Sequence, residues 1–334
     1  MNKRHIVLDE AVAATPSTTP KRNPGTPFDP DWISQVRVNT SATQRRAVGF
    51  GARRSVKKAH QAAWLLKAIT LMDLTTLSGD DTRGRVRRLC QKARKPLSAE
   101  IIDDLGIGDL NIQTAAVCVY HDMIETAVEA LDGSGIPVAA VSTGFPDGLS
   151  PFDLRVKEIE RSVSAGAHEI DIVISRRHVL TGNWQALYDE MCAFRAACGA
   201  AHVKAIIATG QLGTLRNVAR ASHVCMMAGA DFIKTSTGKE SVNATLPVSL
   251  TMVRAAREYG ERTGFQIGFK PAGGISKAKG ALTYLSVMKE EMGNDWLEPD
   301  LFRFGASSLL GDIERQLEHH ATGRYSAAFR HGIS

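Results

Sequence analysis

Three lysines and two aspartates sit inside short apolar runs of the sequence, where solvated charge is out of place. Asp73 interrupts Leu71-Met72-Asp73-Leu74, and Asp171 interrupts Glu169-Ile170-Asp171-Ile172-Val173. Lys204, Lys234 and Lys270 occupy Val203-Lys204-Ala205, Phe232-Ile233-Lys234-Thr235 and Gly268-Phe269-Lys270-Pro271. Cys118 lies in a similar run, Ala116-Val117-Cys118-Val119. A single lysine near a strand end is ordinarily a solvated rim residue. Three in succession, beside two aspartates in apolar company, point to function, because a buried charge is costly unless it is paired or used.

The chemistry such a group suits follows from one number. A free lysine, with a pKa of ~10.4, is neutral about once in 2,500 molecules at pH 7. Desolvation and a neighbouring ammonium can lower that pKa by roughly three units, ~4 kcal/mol, which leaves about half of the lysine nucleophilic. Crowded lysines therefore suit Schiff-base formation with a carbonyl substrate. An aspartate nearby can relay protons for carbinolamine dehydration and for removal of the proton alpha to the iminium. Residue types alone do not choose between Lys234 and Lys270 as the nucleophile.

Small residues cluster at two later points, Gly273-Gly274 and Gly305-Ala306-Ser307-Ser308, the second just before a helix-like segment. Free backbone N–H groups at a helix start are a phosphate site, and a plain turn with an N-cap is the alternative. Ser236-Thr237-Gly238-Lys239-Glu240 resembles the end of a P-loop, but the earlier glycine is missing and Glu240 replaces the magnesium-holding hydroxyl. The ten histidines show no ligand spacing, so no metal is expected.

These residues need a frame, and the chain supplies a repeating one. Apolar runs of strand length fall at Ile69–Leu74, Thr114–Tyr120, Pro137–Thr143, Glu169–Ser175, Val203–Ala208, Asp231–Thr235, Phe265–Pro271 and Leu301–Ala306. Helix-like stretches follow around 98–105, 122–132, 153–166, 184–198, 212–228, 246–261, 277–291 and 308–320. Eight such units predict an α/β fold, a TIM (β/α)8 barrel, over an open sheet, because no G-x-G-x-x-G follows the first strand. In that fold the chemistry belongs at the C-terminal ends of the strands, and phosphate at the last two βα loops.

A barrel takes ~250 residues, and the chain has 334. The expected organisation is a flexible segment over 1–30, rich in Pro, Thr and Gly, a helical extension over 31–66, the barrel over 67–322 and a tail over 323–334. The net charge of +6 belongs to the appendage: residues 1–60 carry 11 basic and 4 acidic side chains, and the remainder is close to neutral. No nucleic-acid or membrane partner is therefore expected of the barrel. Five cysteines without a C-x-x-C pair, and no apolar leader, predict a cytoplasmic protein with reduced thiols.

At these motifs the sequence resembles the deoxyribose-phosphate aldolases, of the longer animal-type branch. The matching stretches are Met72–Leu77, Ala116–Tyr120, Glu169–Val173, Asp231–Lys239, Gly268–Gly274 and Phe304–Ser308. The resemblance implies reversible cleavage of 2-deoxy-D-ribose 5-phosphate to acetaldehyde and D-glyceraldehyde 3-phosphate, without cofactor, in deoxyribonucleoside catabolism. It implies Lys234 as Schiff-base nucleophile, Lys270 as the lysine that depresses its pKa, and Asp171 as proton donor and acceptor. Asp73, Thr75 and Lys204 would complete the polar network around substrate hydroxyls and catalytic water, and Cys118 would line the pocket, although a small buried hydrophobe there serves equally as inert packing. Gly238, Lys239, Gly273, Gly274, Gly305, Ser307 and Ser308 would hold phosphate. Three positions depart from the family pattern: His121-Asp122, Gln211, and Ser276 in place of an arginine.

Two rival readings remain at this level. One is a Schiff-base aldolase for another phosphorylated aldehyde. The other is a scaffold whose Arg45-Arg46, Arg53-Arg54 and Lys57-Lys58 contact RNA, although no aromatic platform is interleaved with them. Homo-oligomerisation is left open.

Overall fold

The computed structural model describes residues 22–52 and 56–332. Residues 1–21 of the expected flexible segment, and Arg53-Arg54, lie outside them.

The eight parallel strands are β1 (Met72–Thr75), β2 (Ala116–Val119), β3 (Val138–Ser142), β4 (Glu169–Val173), β5 (His202–Ile206), β6 (Phe232–Lys234), β7 (Gly268–Lys270) and β8 (Phe304–Ala306). They neighbour one another in the order β7-β6-β5-β4-β3-β2-β1-β8. Bridges Phe269 to Phe302 and Ala272 to Gly305 join the two remaining edges, so the sheet closes into the expected barrel.

Three helices precede the barrel: α1 (Pro30–Gln35), α2 (Thr40–Ala52) and α3 (Lys58–Thr70). Around it run α4 (Arg83–Arg94), α5 (Ala99–Leu105), α6 (Ile124–Leu131), α7 (Phe152–Ser164), α8 (Arg176–Leu180), α9 (Trp184–Ala197), α10 (Leu215–Met227), α11 (Leu246–Thr263), α12 (Ala278–Met292) and α13 (Leu309–Thr322). Among the described residues no helix is long and apolar enough to cross a membrane.

Period-two alternation does the positioning. In β4 the isoleucines Ile170 and Ile172 join the main apolar core, while Glu169 and Asp171 take up cations. Side chains fill the barrel rather than leaving a pore. Phe232 occupies so much of the interior that a Cβ on Gly268 of the next strand would lie 2.3 Å from its ring.

Three expectations change. The first strand was expected from Ile69, but Ile69 and Thr70 end α3, whose buried face of Ala62, Leu65, Leu66 and Ile69 continues the helical spacing to that point. Helix α4 was not expected at all. Its buried Val86, Leu89, Cys90 and Ala93 follow the i, i+3, i+4, i+7 rule, but six basic residues among them hide the stripe. Thr82 caps it by accepting from the Arg85 N–H. Residues 22–30, expected to be mobile, are pinned instead. Asn23, 1% exposed, donates to the carbonyls of Met226 and Ala230, and the Arg22 guanidinium pairs with Asp231 at 2.9 Å. Composition argues for disorder only where such specific partners are absent.

The basic extension also spends charge internally. Arg46 pairs with Glu290 at 2.9 Å and Glu291 at 3.2 Å, so this member of the proposed RNA-binding set serves to dock α2 on α12.

Candidate active site

Strand register brings the sequence-picked charges together. Asp171 on β4 stands opposite Lys204 on β5, Ile206 opposite Lys234 on β6, and Lys234 opposite Lys270 on β7. The Lys234 ammonium donates to Asp171 Oδ2 at 2.7 Å, and Lys270 donates to the same oxygen at 2.8 Å. Lys270 also donates to Asp73 Oδ2 at 2.5 Å. Asp73, Asp171, Lys204 and Lys270 are fully buried, and Lys234 is 3% exposed at the floor of a cavity of about 950 Å3.

Lys204 requires a correction. Expected at a strand end with the other two lysines, it is the third residue of a five-residue strand and lies two positions deeper than Lys234. Its ammonium bonds Glu169 and sits 3.5 Å from both Asp73 and Asp171. Depth is set by the stagger between strands, which places Ile206 and not Lys204 opposite Lys234, and neither strand's own sequence carries that stagger.

Beneath it lie two residues that sequence reasoning passed over. Arg303 donates to Asp73 Oδ1 at 2.6 Å and to Glu169 Oε1 at 2.9 Å. The signal was present: an arginine in Leu301-Phe302-Arg303-Phe304 is as anomalous as a lysine in Gly268-Phe269-Lys270-Pro271.

The electrostatics separate the lysines. Burial, and then the Lys270 charge, push the Lys234 pKa down, with Asp171 opposing. Burial acts on Lys270 in the same direction, but the paired carboxylates Asp171 and Asp73 prevail and hold its pKa above the usual lysine value. Burial would raise Asp171, yet Lys234, Lys270 and Lys204 hold it well below the usual carboxylate range. Of Lys234 and Lys270, Lys234 is therefore the amine that loses its proton more readily. Cys118, packed with Ala139 and Val141 under Tyr120 and Phe145, has its thiol pushed by burial up to about 11, the behaviour of an inert small hydrophobe.

This pairing yields a contrast in stability. Lys270→Met leaves Asp73 and Asp171 each short of a cation, and the expected loss is about 3–5 kcal/mol, read from the denaturant midpoint. Unchanged stability in that variant would contradict the pairing scheme.

The cavity above is lined by Thr75, Lys234, Gly238, Lys239, Gly273, Gly274, Gly305, Ser307 and Ser308. Of the expected site residues, Asp73, Cys118, Asp171, Lys204 and Lys270 do not line it and lie underneath. Gly305 is required by close approach: a Cβ there would meet Ala272 Cβ at 2.8 Å and Lys270 Cε at 3.2 Å. Glu240 shapes the loop after β6, accepting from the Thr237 N–H at 2.8 Å and the Gly210 N–H at 3.2 Å. Its carboxylate presents Gly238 and Lys239 to the cavity and so has a structural use that the P-loop comparison missed.

The cavity wall also includes Arg85, Lys277, Arg315 and His331, none of them expected. Ser276 lines the cavity beside Lys277, which supplies a cation one residue after the absent arginine. Tyr325 stacks on His319 at 4.0 Å and lines a separate crevice. Of the other departures, Gln211 is exposed, and His121 sits 3.5 Å from Glu158. Among the described residues no group of three His, Cys, Asp or Glu is placed to hold a metal ion.

A (β/α)8 barrel with a desolvated lysine against a carboxylate, under a small-residue mouth with a helix start, has the parts of a Schiff-base (class I) aldolase. The DeoC/LacD aldolase family pattern matches residues 67–312, and the chain belongs to that family. The deoxyribose-phosphate aldolase of Mus musculus is 60% identical over 305 residues, covering 91% of this chain and 96% of that protein. Its Homo sapiens counterpart is 58% identical over 307 residues, with the same coverage. Among solved structures, a Toxoplasma gondii ME49 barrel superposes with a TM-score of 0.68 at 22% identity, over 79% of this chain and 97% of that one. The deoxyribose phosphate aldolase of Aeropyrum pernix, described as a tetramer, gives a TM-score of 0.57 at 20% identity over 79% of this chain and 98% of that one. At those identities the two structures speak for the fold alone.

Proposed function

We propose that the chain is a class I aldolase that reversibly cleaves 2-deoxy-D-ribose 5-phosphate to acetaldehyde and D-glyceraldehyde 3-phosphate, in deoxyribonucleoside catabolism. The observation that carries this reading is Lys234, the one lysine of the buried cluster that lines the cavity, with Asp171 as its single hydrogen-bonded carboxylate.

In the cleavage direction the neutral Lys234 amine adds to C1 of the open-chain sugar. Loss of water from the carbinolamine gives an iminium. Removal of the C3 hydroxyl proton lets the C2–C3 bond break, its electron pair passing into the iminium to form an enamine, and glyceraldehyde 3-phosphate leaves. Protonation of the enamine at C2 and hydrolysis by water return acetaldehyde and the free lysine. Asp171, within reach of both lysines, is the donor and acceptor for these transfers, with Lys270 charged beside it. Gly238, Lys239, Gly273, Gly274, Gly305, Ser307, Ser308 and the start of α13 take the phosphate, and Thr75 borders the sugar. Lys204 serves as a charge partner below, not as a group that touches substrate.

The test is a product assay coupled to borohydride trapping. Acetaldehyde plus borohydride is expected to leave an ethyl group on Lys234, and deoxyribose 5-phosphate to be cleaved in preference to hexose phosphates, with chelators present. An adduct on another residue, or cleavage of hexose phosphates instead, overturns the assignment. A cytoplasmic location, in keeping with five free cysteines among the described residues, is part of the same proposal and is checked by cell fractionation.

A further inference from the structure

Under the reacting pair lies a second, sealed layer of charge that no substrate in the cavity touches. Arg303, 4% exposed, bridges Asp73 and Glu169, and Lys204, fully buried, bonds Glu169. The Phe232 ring floors the layer, 5.8 Å from the Lys204 ammonium and 5.9 Å from the Arg303 guanidinium. Buried ion pairs are weak contributors to stability, and well-packed apolar side chains often do as well. Packing alone does not account for spending three ionised groups here.

Counting charge does account for them. The buried cluster holds four basic groups, Lys204, Lys234, Lys270 and Arg303, and three carboxylates, Asp73, Glu169 and Asp171. With all of them ionised, one positive charge is in excess in a medium that penalises it. Arg303 cannot give up its proton. Lys270 is held by two carboxylates, and Lys204 bonds Glu169 with Asp73 and Asp171 both near. Lys234 has Asp171 alone and lies at the cavity.

We propose that Arg303 and Glu169 are positioning residues for Lys234: their fixed pair sets the charge tally that makes Lys234 the neutral lysine and aims the chain of contacts that ends on it. The chain runs from Arg303 to Asp73 Oδ1, from Asp73 Oδ2 to Lys270, from Lys270 to Asp171 Oδ2, and from that oxygen to Lys234. Arg303 thus takes one oxygen of Asp73 and leaves the other for Lys270. The groups facing Lys234 are Cys118 on β2, Asp171 on β4 and Lys270 on β7; Asp73 on β1 and Lys204 on β5 face Asp171, with Glu169 and Arg303 behind them. His202 and Asp300 flank the lower layer.

The inference rests on the Schiff-base reading, and trapping with acetaldehyde and borohydride tests the two separately. Absence of any Lys234 adduct in the unaltered protein is failure of that reading. Given an adduct, the pH dependence of the trapping rate in the full chain tests the layer. The rate rises as Lys234 loses its proton. Arg303→Gln removes a positive charge, so Lys234 keeps its proton longer and the acid limb moves up by about one pH unit. Glu169→Gln removes a negative charge, and the limb moves down by about as much. The charge-keeping Arg303→Lys and Glu169→Asp leave the limb in place while kcat falls through lost geometry, and the double Arg303→Gln/Glu169→Gln variant restores it. Should Arg303→Gln fail to fold, the comparison of Glu169→Gln with Glu169→Asp decides. Limbs that move in the same direction, move as far in the charge-keeping variants, or do not move at all make the layer merely structural and overturn the proposal.

Discussion

Replacing Lys234 by methionine is expected to lower kcat for deoxyribose 5-phosphate cleavage by about 10⁴-fold or more and to abolish the borohydride adduct, while leaving the fold intact. The loss is large because the cluster holds no substitute. Lys270 is the other ammonium on Asp171, but two carboxylates keep it protonated, and it does not line the cavity. The fold should survive for the reason that Lys270→Met should harm it. Lys270 bonds both Asp73 and Asp171, whereas Lys234 bonds Asp171 alone, and without Lys234 that carboxylate still accepts from Lys270 at 2.8 Å. Stability is expected to stay within about 1 kcal/mol of the unaltered chain, since a methionine fills most of the lysine stem. Mass spectrometry of the trapped protein and a denaturation curve check both halves. Residual turnover above a hundredth, or an adduct moved to Lys270, would remove Lys234 from its role.

The residues proposed to react were legible in the sequence because charge within an apolar strand is a local signal. Asp171, Lys234 and Lys270 each carry it, and their order along the chain places them on neighbouring or nearby staves of a barrel. Depth within the barrel was not legible. Lys204 gives the same signal as Lys234, yet the stagger between β5 and β6 sets Ile206 beside Lys234 and leaves Lys204 in the lower layer. Arg303 gave the signal too, but the Gly-Ala-Ser-Ser run that follows it drew the functional reading of that strand. The cavity wall was hidden for another reason. Arg315 lies on the second turn of α13 and His331 in the chain beyond it, and they reach the cavity only because the tail folds back, with the His331 ring 2.6 Å from Ser326 and 3.1 Å from Glu318. No local pattern encodes that return. Residues 22–30 failed in the opposite sense: their composition suggests mobility, and two distant carbonyls that Asn23 reaches cannot be read from composition.

Asp171→Asn should separate the two jobs of the site. The amide retains the shape of the carboxylate but cannot carry a proton between substrate and lysine, so kcat is expected to fall by about 10²–10⁴-fold. Imine formation should respond differently. Asp171 is the carboxylate that favours the charged form of Lys234, opposing burial and the Lys270 charge. Neutralising it removes that support and deepens the excess of positive charge among Lys204, Lys234, Lys270 and Arg303. The Lys234 pKa therefore falls further, and the acid limb of borohydride trapping moves to lower pH. At mildly acidic pH the variant should trap acetaldehyde at least as readily as the unaltered enzyme, while turning over deoxyribose 5-phosphate hundreds of times more slowly. Parallel measurement of trapping rate and kcat between pH 5 and 9 exposes the split. A limb displaced to higher pH would mean that Asp171 lowers the Lys234 pKa, a sign opposite to the one its 2.7 Å contact dictates. Loss of trapping in step with turnover would mean that Asp171 is needed to form the imine as well as to break the carbon–carbon bond, and proton relay would then have to begin at carbinolamine dehydration.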